Sequence, residues 1–160
     1  MEGGRPDADH PFDLRRIGVL AATFCLLAAG CGGSGQPLGH SCGMRDRTFI
    51  QVAAPDIVAL GSLPAGYETT TPPEEMAEQA FAAAKRVARV EARDPSLHTA
   101  QRYYDAMFTE YGEAVTLQSE GKDAGERMYR AYGLANFAHD VLAQAQPELL
   151  ARGCDVGPLL

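Results

Sequence analysis

Residues 71–96 read TPPEEMAEQAFAAAKRVARVEARDPS, and the spacing inside this stretch decides the fold class. Thr71 is a residue type that caps helices, Pro72 follows at a first helical position where its missing N–H costs nothing, and Glu74 completes a capping box. Apolar side chains then recur at Met76, Ala80, Ala83, Val87 and Val90, at spacings of 4, 3, 4 and 3, with Phe81 and Ala84 widening the stripe. Asp94-Pro95 closes this helix and opens another, with Asp94 as cap and Pro95 in the first turn.

The same periodicity continues outward. Leu97, Ala100, Tyr104, Met107 or Phe108, Tyr111, and Ala114 or Val115 form the inward stripe of a helix that runs to Ser119 and breaks at Gly121. Ala124, Met128, Ala131, Ala135, Ala138, Leu142 and Ala145 mark a further helix, predicted to kink or end before Pro147. Glu148 to Arg152 add a last turn that Gly153 terminates. Towards the N-terminus, Phe49, Val52 or Ala53, Ile57 and Leu60 fit a helix across Arg45–Leu63, with Pro55 expected to kink it. Thr48–Val52 is the one short stretch with strand-like alternation, and Leu63 to Thr71 form the one long connection. The expected fold is therefore all-α, a small antiparallel bundle of four helices.

Composition agrees with one domain: 160 residues, 46% of them hydrophobic, and 22% charged. A net charge of −7 offers no electrostatic footprint for a phosphate backbone, which argues against nucleic acid as a partner. Residues 17–30, IGVLAATFCLLAAG, carry no charge, follow Arg15 and Arg16, and precede a Gly/Ser stretch. Fourteen residues are too few to cross about 30 Å of hydrocarbon, so the segment reads as a cleaved secretory signal. A buried helix of a cytosolic fold would leave this order of charge, apolar run and small residues unexplained.

The end of that run, Leu27-Ala28-Ala29-Gly30-Cys31, resembles the lipobox of bacterial lipoproteins, with Ala28 where the family usually has Leu. The resemblance covers residues 15–36 and implies diacylglycerol on the Cys31 sulfur and cleavage just before it. Cys25 is a poorer acceptor because the bulky Phe24 precedes it. The implied location is extracytoplasmic, on a bacterial membrane, with residues 1–30 removed, 31–41 forming the lipidated Cys and a flexible tether, and 42–160 the helical domain. Glu2, Asp7, Asp9 and Asp13 are foreign to a signal's basic start, which points to translation beginning near Leu14. Gly18 falls where a twin-arginine signal wants an apolar residue, so the general secretory route is expected. Removal of residues 1–30 takes three basic and four acidic side chains and leaves a charge of −6.

Of the four cysteines, Cys42 and Cys154 remain for the domain, and in an oxidising compartment the pair is expected to form one disulfide. Its Cα atoms must approach to roughly 4.4–6.8 Å, which antiparallel helices allow only after an even number of crossings. The disulfide thus closes the predicted bundle at the end that carries the tether.

Chemistry-bearing patterns are sparse. No Glu-x-x-His pair of a di-iron bundle is present, and neither Cys has a second ligand at metal-site spacing. His40 and His98 read as surface residues, while His139 with Met44, Met76, Met107 or Met128 is the pairing that a haem-binding bundle would use. No Gly-x-Ser-x-Gly elbow or phosphate loop occurs, so no catalytic residue, metal ligand or cofactor is assigned. The aromatic band of Tyr103, Tyr104, Phe108, Tyr111, Tyr129, Tyr132 and Phe137 is the most distinctive feature. Most of it reads as core, but Tyr103 and Tyr129 project off the stripes as a possible partner surface. Lys85, Arg86, Arg89 and Arg93 read as a solvated face that balances nearby acids. The function expected is a non-enzymatic, membrane-anchored envelope module that meets a protein or cell-wall partner along its sides or near Leu63–Thr70 and Ser119–Lys122. The alternative is a metal- or haem-binding bundle. Intact-mass spectrometry of membrane-extracted protein should find an acylated Cys31 at the N-terminus, and Cys31→Ala should release the protein from membranes.

Overall fold

A computed structural model describes residues 41–61 and 71–160. The segments read as a signal (1–30) and a tether up to residue 40, the expected lipidation site Cys31 and the connection over 62–70 lie outside the described residues. Within them the chain forms four helices, α1 (Met44–Gly61), α2 (Pro73–Ala88), α3 (Pro95–Ser119) and α4 (Gly125–Ala151), and a terminal 3-10 turn (Gly157–Leu159). The Thr48–Val52 stretch is helical, inside α1.

Polar pairs between neighbouring helices fix an up-down-up-down order. Arg86 of α2 donates to Asp56 of α1 at 2.6 and 3.0 Å, whereas the Asp46 carboxylate, near the start of α1, accepts from the backbone N–H of Arg93, beyond the end of α2. Arg127 of α4 reaches Glu110 of α3 at 3.0 Å, and Arg152, beyond the end of α4, reaches Asp94 at the start of α3. Pairs whose numbers rise on one helix as they fall on the next require antiparallel neighbours. One core joins all four, with Phe49, Val87, Leu97, Phe108, Leu142 and Leu149 almost fully enclosed. Val156 and Leu159 close it at the end that carries both Cys42 and Cys154.

The four crossings bring the Cys42 and Cys154 Cα atoms to 5.1 Å, and a disulfide joins them across a separation of 112 residues. Both cysteines are buried, and the Cys42 N–H donates to the Arg152 carbonyl at 2.8 Å. The staple therefore ties the start of α1 to the chain just past α4.

Local sequence departs from expectation at three points, each for a physical reason. The α2 helix starts one residue late, with Pro72 rather than Thr71 at the cap position and no side-chain capping bond. Pro73 crowds the residue before it and holds Pro72 extended, at ψ 145°, so the first helical position passes to Pro73. Neither Pro55 nor Pro147 ends its helix: α1 and α4 run through both prolines. Pro55 and Pro147 are exposed, as are Gln51 and Ala143, whose carbonyls lose their partner, so water can satisfy those carbonyls. Ala77 is buried in α2, while Met76 and Val90 are only half-buried. Elsewhere the signals act as read. The Asp94 carboxylate accepts from the N–H groups of Ser96 and Leu97 at 2.9 and 3.2 Å, and Gly121 and Gly153 end their helices with φ of 68° and 80°.

Thiol labelling of folded, unreduced protein should modify neither Cys42 nor Cys154. Reduction should remove about 4 kcal/mol of stability, the loop-closure entropy of so long a segment, measured as a lowered denaturant midpoint.

Candidate functional site

Two regions combine chemistry with exposure: the stapled end and the outer face of α4. At the stapled end Ala92 and Asp94 of the α2–α3 turn are buried, with Arg93 exposed between them, and the consecutive N–H groups of these three residues need partners. The N–H of Ala92 donates to Gln101 Oε1 at 3.0 Å, and those of Arg93 and Asp94 donate to Asp46 Oδ1 at 2.7 and 3.0 Å. The Gln101 amide also donates to the carbonyls of Val87 and Val90. Asp94 Oδ2 accepts from Arg152 at 2.5 Å. Asp46, Asp94 and Gln101 are all buried; Asp46 Oδ1, both Asp94 carboxylate oxygens and both ends of the Gln101 amide take part in these bonds and in the cap of α3.

Hydrophobic residues at 131, 138, 142 and 149 turn one side of α4 inward and leave the opposite side to solvent. Tyr129 on that side is 81% exposed, and Tyr132 and Phe137, on its two flanks, are 65% and 58% exposed. Tyr103 of α3 is half-buried and packs beside the Phe137 ring, with centroids 5.7 Å apart. Tyr103 and Tyr129 are thus not side by side. Tyr103 meets α4 at Phe137, eight residues and about 12 Å along the helix from Tyr129. Tyr132, one turn from Tyr129, and Phe137, two turns along, add two further exposed rings to α4. The α4 periodicity carries that signal, since the inward positions leave 129, 132 and 137 on other faces.

Charge frames this aromatic face. Arg127 bridges Glu110 at 3.0 Å and also pairs with Glu113, while Arg130 lies 3.6 Å from Glu110 and 3.4 Å from Glu126. The hydrogen bond to Glu110 raises the Arg127 pKa above its ordinary value, and that to Asp56 does the same for Arg86. A groove of about 230 Å³ lies between α1, α2 and α3, with Leu60, Met76, Phe108 and Tyr111 on its walls and the Arg86–Asp56 pair at its rim.

Among the described residues no group of three or more His, Cys, Asp or Glu side chains is gathered closely enough to hold a metal ion. His139 is exposed on α4 with Asp140 3.7 Å away, whereas Met107 is buried on α3 and Met44 stands in solvent. No described helix is long and apolar enough to cross a membrane. No protein-family model matches the sequence, and no curated protein or solved structure matches it either.

Burial also sets one titration. The Tyr104 hydroxyl donates to the Leu159 carbonyl at 2.8 Å inside the core, and its pKa is pushed up to about 12 by desolvation of the phenolate. Tyr111 is raised too, by burial first and by the nearby Tyr132 second. A folded pKa above the ordinary value of 10 means that the contribution of Tyr104 is complete below pH 10 and is lost as the pH rises towards 12. Ultraviolet titration should therefore show a tyrosine fraction that ionises only near pH 12, together with loss of helical circular dichroism. Tyr104→Phe should remove that fraction.

Proposed function

We propose that this chain is an extracytoplasmic lipoprotein whose helical domain holds a macromolecular partner at the membrane surface and does not turn over a substrate. The observation that carries this reading is the aromatic face of α4, where Tyr129, Tyr132 and Phe137 stand largely in solvent on a helix whose other side is core. Large rings offer contact area at small entropic cost and supply the anchors of many interfaces, so leaving three of them uncovered is costly unless something covers them. The charged cluster of Glu110, Glu126, Arg127 and Arg130 beside them supplies the polar rim that such an interface uses.

Attachment gives the face its direction. Cys42 lies eleven residues after Cys31, so a lipid on Cys31 keeps the stapled end within roughly 35 Å of the bilayer. Tyr129 and Tyr132 belong to the first turns of α4, at the opposite end, where a protein or cell-wall partner has free access.

Crosslinking in native membranes followed by mass spectrometry should recover a reproducible partner, joined through the α4 face. Tyr129→Ala with Tyr132→Ala should abolish that product while changing stability by less than about 0.5 kcal/mol each, as expected for exposed side chains. A preparation with no reproducible partner but with stoichiometric metal or haem would replace this reading with a ligand-carrying bundle.

A further inference from the structure

The acidity of the chain is not evenly spread. Residues 74–78 and 110–130, at the end of the bundle away from the disulfide, carry eight carboxylates against three basic side chains. Residues 42–48 and 85–94, towards the stapled end, carry six basic side chains against three carboxylates, and two of those three, Asp46 and Asp94, are buried. Sequence reading assigned Lys85, Arg86, Arg89 and Arg93 to a face balanced by acids, but among the described residues only Arg86 of these four has a carboxylate partner. Arg47, Arg89 and Arg93 are unpaired there, and Arg45 pairs with Glu91 at 3.5 Å.

The stapled end also exposes apolar side chains that the core does not use. Met44, in the first turn of α1, is 86% exposed, Leu150, in the last turn of α4, 48%, and Leu160, after the terminal turn, 40%. Met44 stands one helical turn from the unpaired Arg47, and exposed apolar side chains at the same end as unpaired arginines suit an interfacial membrane contact, in which the apolar groups enter the headgroup boundary and the guanidinium groups meet lipid phosphates. Glu148 and Asp155 share this end, so the attraction is weaker than the basic count alone implies.

We infer that the stapled end is a docking surface for an anionic lipid bilayer, with Met44 and Leu150 at the headgroup boundary and Arg47, Arg89 and Arg93 on its phosphates. The inference rests on the lipoprotein reading, because it is the tether from Cys31 that enters the domain at Cys42 and brings this end to the bilayer. The acidic far end is repelled by the same surface, so the domain stands upright on its anchor and does not lie along the membrane.

The test uses the full protein extracted from membranes and reconstituted in vesicles of pure phosphatidylcholine or with one-third phosphatidylglycerol. Flotation is combined with phenylglyoxal footprinting of arginines. The expected result is flotation with both vesicles and modification of Arg47, Arg89 and Arg93 at least about fivefold slower on the anionic ones, the effect of one surface charge near such lipids. Arg127 and Arg130 should be unchanged, and 1 M salt, with a screening length of about 3 Å, should erase the difference. Arg47→Gln with Arg89→Gln should likewise erase the protection of Arg93 without loss of flotation. Flotation with both vesicles but no selective protection overturns the docking surface and leaves the anchor standing. Flotation with anionic vesicles alone, with that protection, upholds the docking surface and overturns the anchor. Flotation with neither overturns both.

Discussion

Three consecutive backbone N–H groups in the α2–α3 turn, those of Ala92, Arg93 and Asp94, hold the arrangement of this domain. Ala92 and Asp94 are buried and Arg93 between them is exposed, so most of the turn is withdrawn from solvent and its N–H groups need acceptors within the protein. Gln101 of α3 supplies one and Asp46 of α1 supplies two. Asp94 then uses its own carboxylate twice, as the cap of α3 and as the partner of Arg152 beyond α4. A single turn is thereby linked to every helix of the bundle. The two buried carboxylates are tolerable only because the backbone and one guanidinium surround them, and deleting any member would strand another. The disulfide sits beside this junction and adds a covalent bond between segments that the polar contacts already align.

Much of this fold was legible in the sequence because local rules and tertiary packing agree. Asp94-Pro95 looked like a helix start and is one, since the side chain that caps also finds Arg152. The alanine and leucine stripes of α3 and α4 face the core as their spacing required. The prolines were harder to read. Pro72 reads as a first helical residue until the restriction imposed by Pro73 is considered, and whether Pro55 and Pro147 end their helices depends on their solvent-facing positions. A missing hydrogen bond costs much less where water replaces it, and sequence does not say which side of a helix a carbonyl faces.

The candidate surfaces were legible in a different proportion. Tyr129 could be set outside the core by periodicity alone, but the half-burial of Tyr103 against Phe137 depends on how α3 and α4 mesh, which no single-helix stripe encodes. Asp46, Gln101 and Arg152 carried no signal, because a buried polar residue resembles a surface one until its partners from other helices are known. The arginines at 47, 89 and 93 lie towards one end of the bundle only because α1 and α2 are antiparallel, so their shared end is a product of topology.

The position of the disulfide also has a mechanical consequence. Tension entering the domain at residue 42 passes through one covalent bridge to Cys154 and from there into the end of α4. A load taken up on the outer face of α4 would travel along that helix to the bridge and out through Cys42, leaving α1, α2 and α3 off the line of force. A staple between the two extremes of the fold thus lets the chain resist being pulled without asking its hydrophobic core to bear the strain.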